Sequence, residues 1–314
     1  MTNHILLLLS QDNSQYEYLI GQQSLPDLQI LRADDPMDAR EKAGQAEIIL
    51  GDPPEIAKII DDAPALKWVQ SSHAGVDALL QPKMRQDYQL TNVRHIFGPP
   101  MSEYVFAQLL GLNRHLSLYR EQQRKKRWHP ILYSHLHGKT MLLLGTGTIG
   151  QHVAATAKHF GMKTLGINQS GRHSDRFDRI YNTEALDKVL PQVDVIINTL
   201  PATPKTYHML GEKQLRLCKP NAILFNVGRG STIDTQALIE VMNDGHLGAA
   251  ILDVFEQEPL PSQSPLWSIP NLIITPHISA YSFPEEVTTI FTRNYLHYIN
   301  DTPLDYQIDF HRGY

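Results

Sequence analysis

The stretch Lys139–Arg172, KTMLLLGTGTIGQHVAATAKHFGMKTLGINQSGR, constrains the fold more than any other part of the 314-residue chain. Met141–Leu144 is an apolar run of strand length and too short for a helix. Gly145, Gly147 and Gly150 follow it as G-x-G-x-x-G. From Ile149 the apolar positions fall at helical spacing through Val153, Ala154, Ala157 and Phe160, until Gly161 stops the helix. Lys163–Ile167 then reads as a second strand. In such a βαβ unit the first glycine permits a tight turn and the second lets backbone approach a pyrophosphate. The third allows close helix–strand packing. The first helical residues, Thr148 and Ile149, sit where free N–H groups and the positive end of the helix dipole meet an anion. A glycine turn can also serve packing alone; the flanks on both sides select dinucleotide binding here.

The end of the second strand bears on which dinucleotide. An Asp or Glu about 20 residues past the glycines usually accepts bonds from a free adenine ribose. That position falls near Asn168, followed by Gln169, Ser170, Gly171 and Arg172. No acid is present to repel a 2′-phosphate, and Ser170 and Arg172 are able to bind one. NADP(H) is favoured over NAD(H), although a solvated polar loop in an NAD-using protein has the same composition.

The length suits two domains rather than one core. With 42% apolar and 19% charged residues the chain is globular, and a net charge of −5 argues against a nucleic-acid partner. The Arg124–Arg127 run, RKKR, reads as a solvated helix end. Cys218 is the only cysteine, so neither an intrachain disulfide nor a thiolate metal site is expected, and no metal is called for. Ile5–Leu9 is too short for a signal-peptide core and reads as a first strand, and no apolar run approaches a membrane span. These features predict a cytoplasmic protein without a membrane partner.

Residues 1–96 alternate strands (Ile5–Leu9, Leu28–Leu31, Ile48–Leu50, Lys67–Gln70) with helices near Tyr16–Gly21, Asp38–Gly44 and Glu55–Asp61. That rhythm predicts a small open α/β sheet. His73, Ala74 and Gly75 follow its last strand, where backbone N–H groups in a glycine turn can hold a carboxylate, although these residues alone fit a plain turn equally well. Ile96–Pro100 is a turn-rich break, after which Ser102 is expected to cap a helix running to about Tyr119. Beyond the glycine unit the alternation resumes. Helices are expected at Thr183–Leu190, Glu212–Leu217 and Asp234–Asp244, and strands at Val193–Asn198, Ala222–Phe225, Ala249–Leu252 and Leu272–Ile274. Pro284–Asn300 is a final helix. The fold class is α/β, with a doubly wound parallel-sheet (Rossmann) domain and a smaller α/β domain.

Three of the later strands end in polar residues: Asn226-Val-Gly-Arg-Gly230, Asp253-Val-Phe-Glu-Gln-Glu-Pro259 and Thr275-Pro-His277. In a parallel sheet all strand ends share one edge, and the glycine turn lies on the same one. His277 is suited to proton transfer in either direction near neutrality, and a carboxylate partner would orient the ring and favour its protonated form. Arg229 offers a forked pair of donors to a 2-keto acid. Taken singly, a His after a strand is most often structural, an Arg a surface ion pair, and an acid before proline (Glu258) a solvated loop residue. The shared edge is what joins them.

Asn226-Val-Gly-Arg-Gly230, Leu252-Asp-Val-Phe-Glu-Gln-Glu-Pro-Leu260 and Thr275-Pro-His-Ile-Ser-Ala280 resemble signatures of the D-isomer-specific 2-hydroxyacid dehydrogenases. The similarity extends from about Ser71 to the C-terminus. It is strongest to the bacterial glyoxylate/hydroxypyruvate reductase branch, through Glu258–Trp267, the acid-free ribose loop and the closing Arg312-Gly-Tyr314. The resemblance implies Arg229 as carboxylate and carbonyl ligand, His277 as acid/base and Glu258 as its partner. It implies Asp253 near the nicotinamide carboxamide, Thr199, Leu200, Pro201 and Val227 along the cofactor, and the His73–Gly75 turn on the substrate carboxylate. It further implies a substrate domain of residues 1–97 and 282–314, a cofactor domain of 98–281, and a homodimer formed through the cofactor domains. The expected reaction is reduction of a small 2-keto acid by NADPH, or by NADH. The alternatives are an NAD-linked dehydrogenase of the phosphoglycerate type and a dinucleotide-sensing interaction protein. One departure is the ribose loop, Asn168-Gln169-Ser170 where relatives often have Ser-Arg-Ser.

Overall fold

A computed structural model describes residues 4–33 and 35–311; the closing Arg312–Tyr314 segment lies outside the described residues. The chain forms two compact units, one holding residues through Ile96 and those from Ser282 onward, the other Phe97–Tyr281.

The first unit begins with β1 (His4–Leu9), α1 (Asn13–Gly21), β2 (Leu28–Arg32), α2 (Pro36–Ala43), β3 (Ile48–Gly51), α3 (Pro53–Ala57), β4 (Trp68–Ser71) and β5 (Gln89–Thr91). Its five strands pair all-parallel in the order β2-β1-β3-β4-β5. β3 is buried along its whole length, which is why it reads as an unbroken apolar run rather than an alternating one; β4 is buried too, with its polar Gln70 bonded to the Ser71 and Asn92 carbonyls.

The second unit carries α4 (Gly98–Asn113), α5 (Leu116–Arg124), β6 (Thr140–Leu144), α6 (Thr148–His159), β7 (Lys163–Asn168), β8 (Arg179–Asn182), α7 (Leu186–Val189), β9 (Val195–Asn198), α8 (Glu212–Leu217), β10 (Ile223–Asn226), α9 (Thr235–Asn243), β11 (Ala249–Leu252) and β12 (Leu272–Ile274). Its seven strands run parallel in the order β12-β11-β10-β9-β6-β7-β8, the doubly wound arrangement with its reversal of strand order between β6 and β9. One apolar cluster fills each face of this sheet. Leu142, Leu144, Ile196 and Leu224 point to one, and Met141, Leu143, Val195, Ile197 and Phe225 point to the other, as the two-residue period of a strand requires. The chain then returns to the first unit as α10 (Pro284–Ile299).

Two sequence expectations change. The helix expected to start at Ser102 begins at Gly98, because Pro99 and Pro100 occupy its first turn, where proline's fixed φ suits the helix and its missing N–H costs nothing. Ser102 is buried inside it and bonds His152 Nδ1 at 2.6 Å. The same helix does not reach Tyr119: His115 takes φ +52° and divides it from α5, which ends at Arg124 with the exposed basic run after it. β5 and β8 were not foreseen; both are short edge strands, and β8 (Arg-Ile-Tyr-Asn) has no fully buried residue to mark it.

α10 is held to the first unit by aromatic and polar contacts. The Trp68 ring stacks on Phe291 at 5.3 Å and on Tyr298 at 5.5 Å. Glu47 accepts from Tyr298 Oη at 2.6 Å and Lys67 Nζ at 2.9 Å, and lies 3.0 Å from His4 Nδ1. Burial alone would raise the Glu47 pKa, but these donors outweigh it and hold the carboxyl below its ordinary value. A depressed carboxyl stabilises the fold above its unfolded pKa, and that contribution disappears as the pH falls through the folded one. Tyr298→Phe is therefore expected to lower the unfolding free energy by about 1.5–3 kcal/mol at neutral pH. Denaturant titrations should show the difference shrinking at acid pH, and a constant difference would mean that the hydroxyl does not act through the Glu47 carboxylate.

Candidate active site

Strand register sets the site. Leu144, Asn198, Asn226, Leu252 and Ile274 pair in one row across β6, β9, β10, β11 and β12. The residues that leave the sheet just past this row are Gly145, Thr199, Val227, Asp253 and Thr275, all forecast for the site or next to it. Fully buried Asn198 ties the middle of the row by donating to Asn226 Oδ1 at 2.8 Å and to Thr232 Oγ1.

Gly145 adopts φ +98°, and a Cβ there would lie 2.5 Å from Thr199 Oγ1, which itself donates to the Leu144 carbonyl at 2.9 Å. A Cβ on Gly150 would lie 2.2 Å from the Gly145 carbonyl oxygen, so the helix start sits directly on the turn. Gly147 differs. Its φ of −74° and ψ of −165° suit any residue, and a Cβ would meet no atom within 4 Å. Neither backbone conformation nor packing within the chain requires glycine at this position; room for an external group does. Gly147 is also the N-cap of the 12-residue α6 and provides no side-chain acceptor, so the first N–H groups, Thr148 and Ile149 among them, face outward uncapped. The residues present thus fit a dinucleotide pyrophosphate. Gly147→Val is expected to lower the melting temperature only slightly, valine being a poorer N-cap than glycine, while weakening NADPH binding by about 10-fold or more, the loss of one close contact to a charged group. Thermal unfolding with and without NADPH measures both, and an equal ligand-induced shift in variant and wild type would count against the cradle.

At the end of β7, Asn168 donates to Thr146 Oγ1 at 2.9 Å and accepts from the Ser170 N–H at 3.1 Å. Its side chain thereby shapes the loop, while Gln169, Ser170 and Arg172 are exposed. Beyond β9, Leu200 N–H donates to Asn198 Oδ1 at 3.2 Å and the Pro201 carbonyl accepts from Thr206 Oγ1 at 2.6 Å. Val227 N–H donates to the Asn198 carbonyl at 3.1 Å.

His277 Nδ1 lies 2.8 Å from Glu258 Oε2, and Glu258 Oε1 accepts the Phe255 N–H at 2.8 Å. The Glu258 hydrogen bond raises the His277 pKa above its ordinary value against opposing burial and the Arg229 charge. Burial would raise the Glu258 carboxyl, but bonds from His277 and Phe255, with the Arg229 charge, bring it below its ordinary value. Arg229 is thus near enough to act on both members of the pair, and its Nη1 donates to the Gly228 carbonyl at 2.8 Å. The neighbouring Gly230 explains the tight loop: a Cβ there would overlap the Phe255 backbone.

Asp253 has a function that composition did not reveal. It is fully buried; its Oδ1 accepts from Thr275 Oγ1 at 2.5 Å and Ile278 N–H at 2.9 Å, and its Oδ2 from Ser279 N–H at 2.9 Å. Its carbonyl accepts the His277 N–H at 2.9 Å. These bonds grip the chain on both sides of His277, whose φ is +52°. Left-handed backbone costs a residue with a Cβ roughly 1–2 kcal/mol, so it persists only where neighbours hold it.

His73, Ala74 and Gly75 belong to the first unit. Ser71 Oγ accepts the His73 N–H at 2.9 Å, and the Ala74 carbonyl accepts from Asn92 Nδ2 at 2.7 Å. Ser72 Oγ donates to Asp52, which fixes the turn against α3. Among the described residues the Ala74 and Gly75 N–H groups have no acceptor, which leaves both available to an anion.

Residues 106–279 match the family described as D-isomer specific 2-hydroxyacid dehydrogenase, NAD binding domain. The chain is similar to a solved D-isomer specific 2-hydroxyacid dehydrogenase family protein from Aeromonas salmonicida, with 55% identity, a TM-score of 0.96, and 98% of this chain and 100% of that one covered. The glyoxylate reductase of Thermococcus gammatolerans is 32% identical over 77% of this chain and 76% of its own. The NADPH-dependent glyoxylate/hydroxypyruvate reductase of Sinorhizobium meliloti, solved with NADP and sulfate, is 25% identical with a TM-score of 0.85, covering 99% of this chain and all of that one. With its parallel sheets, glycine turn and strand-end motifs, the chain belongs to the D-isomer specific 2-hydroxyacid dehydrogenase family of oxidoreductases.

Proposed function

We propose that this protein reduces small 2-keto acids, glyoxylate and hydroxypyruvate among them, to 2-hydroxy acids with NADPH, NADH being the lesser alternative. The observation that carries this reading is the Glu258–His277 pair under the influence of Arg229, on the sheet edge that also bears the uncapped glycine turn. The chain's similarity to the Thermococcus glyoxylate reductase and the NADPH-dependent Sinorhizobium glyoxylate/hydroxypyruvate reductase supports the choice of substrates and of NADPH. Gly145, Gly147, Thr148, Ile149 and Gly150 would hold the pyrophosphate, and Gln169, Ser170 and Arg172 the ribose phosphate, next to Asn168. Thr199, Leu200, Pro201 and Val227 would line the rest. Asp253 Oδ2, which accepts one N–H, has capacity left for a carboxamide.

NADPH, when bound, supplies the hydride. His277 carries a proton on each ring nitrogen: Nδ1–H is held by Glu258, and Nε2–H is the proton given to the substrate carbonyl oxygen. Arg229 grips the 2-keto acid through paired donors. In the first unit, the Ala74 and Gly75 N–H groups beside His73 suit a carboxylate. We accordingly assign residues 1–97 and 282–314 to substrate and 98–281 to cofactor. The test is nicotinamide absorbance with NADPH and NADH against a panel of 2-keto acids, phosphorylated ones included. Tight NADPH binding without turnover of any keto acid would overturn the reading in favour of a sensing protein.

We assign the arm from α5 to Tyr133 to a second copy of the chain. α5 buries none of its residues, Trp128 is 100% exposed and Leu132 94% exposed, with Leu116, Leu118 and Tyr133 exposed nearby. Large apolar side chains concentrated this way mark an association surface. The double variant Trp128→Glu, Leu132→Glu is expected to convert a dimer to a monomer in light scattering, and an unchanged mass would place the interface elsewhere.

A further inference from the structure

The function proposed above gives no role to Tyr104 or Thr275, two hydroxyls that connect to Asp253 and through it to the His277 loop. Tyr104, half-buried on α4, lies 2.7 Å from Thr275 Oγ1, which lies 2.5 Å from Asp253 Oδ1. The direction of these bonds follows from chemistry. Thr275 Oγ1 donates to Asp253, whose two oxygens also accept the Ile278 and Ser279 N–H groups, and a hydroxyl has a single proton to give. Thr275 Oγ1 must then accept from Tyr104, whose hydroxyl keeps its proton because burial pushes its pKa up to about 12. The result is one directed chain, Tyr104 O–H to Thr275 O–H to Asp253, ending on the carboxylate that also binds the N–H groups of Ile278 and Ser279.

What the chain supports is the backbone of His277. That residue is held at φ +52° with its N–H on the Asp253 and Thr275 carbonyls, at 2.9 and 3.1 Å. A strained residue relaxes once its restraints loosen, and a ring displaced by even a fraction of a bond length transfers protons less well. Thr275 is the residue that leaves β12, so it forms the hinge between the rigid sheet and this loop. Tyr104 is the only member of the chain that comes from a helix, and it ties α4 to that hinge.

We propose that Tyr104 is a positioning residue for the reaction: by donating to Thr275 it fixes the Thr275 hydroxyl on Asp253, and so holds His277 in its left-handed, working orientation. The proposal rests on His277 being the proton donor. It does not give Tyr104 any contact with substrate.

Tyr104→Phe, Thr275→Val, Thr275→Ser and His277→Ala test it in the full-length protein by steady-state reduction of glyoxylate with NADPH. Thr275→Val removes a hydroxyl bonded to a charge, and Tyr104→Phe a neutral donor, so kcat is expected to fall about 10- to 100-fold and about 3- to 10-fold respectively. KM for both substrates should stay within about twofold, because neither residue touches them. Thr275→Ser keeps the hydroxyl and should restore wild-type kcat. A merely structural hydroxyl would lower the melting temperature and leave kcat alone, and that result for Tyr104→Phe overturns the proposal. So does a Thr275→Ser variant as slow as Thr275→Val, because a retained hydroxyl would then fail to hold His277. If His277→Ala is inactive while Tyr104→Phe and Thr275→Val turn over normally, the positioning chain fails and the proposed function stands. If His277→Ala keeps its turnover, the proposed function itself fails.

Discussion

Alanine at position 277 is expected to lower kcat for 2-keto acid reduction by about 10²- to 10⁴-fold, the usual contribution of a positioned general acid. NADPH affinity should change little, since the glycine turn that would hold the pyrophosphate follows β6, four strands away from β12 in the sheet, or about 19 Å at normal strand spacing. The pH dependence sharpens this expectation. Reduction requires His277 protonated, so activity is present below its pKa and is lost as the pH rises through it. The Glu258 bond raises that pKa, with burial and Arg229 opposing and Asp253 reinforcing it, so the alkaline limb lies above that of an ordinary histidine. Glu258→Gln removes the largest cause, and the limb should move to lower pH in a kcat/KM profile. In the oxidative direction, where His277 must be neutral, the same substitution should extend activity toward acid. Superimposable profiles for Glu258→Gln and wild type would detach Glu258 from the mechanism.

Arg229→Lys is expected to lower kcat/KM by about 10- to 100-fold, although the formal charge survives. A guanidinium presents parallel donors in a fixed fork to a planar keto acid, whereas an ammonium is a point charge on a flexible stem. Arg229 is also oriented from within the loop, its Nη1 held by the Gly228 carbonyl at 2.8 Å, and lysine lacks the second nitrogen needed for that bond. Because lysine keeps a positive charge near Glu258 and His277, the alkaline limb of the pH profile should stay near the wild-type position while the plateau drops. That separates a lost ligand from a lost electrostatic neighbour. A plateau near the wild-type value would remove Arg229 from substrate binding.

Much of the second unit was legible because its information is local. Met141–Leu144, the three glycines and the helical spacing from Ile149 specify strand, turn and helix within a few residues of one another. The strands that were missed, β5 and β8, are short edge strands: β5 is only Gln-Leu-Thr and β8 has no buried residue, so neither carries the apolar run by which a central parallel strand announces itself. The start of α4 was misplaced because Pro99 and Pro100 read as a break and are in fact a first turn.

The sequence by itself determined which residue types end each parallel strand, and strand polarity alone obliges those ends to share an edge. It therefore drew Arg229, an acid and His277 together from positions up to 48 residues apart, and the family resemblance singled out Glu258 as that acid. Only the tertiary structure decided how His277 is held: by a buried Asp253 accepting from the far side of its loop, by Thr275, and by Tyr104 on a helix 171 positions away. The physical reason is that hydrogen bonds between distant segments depend on distance and angle to within fractions of an ångström, and no pattern along the chain encodes those.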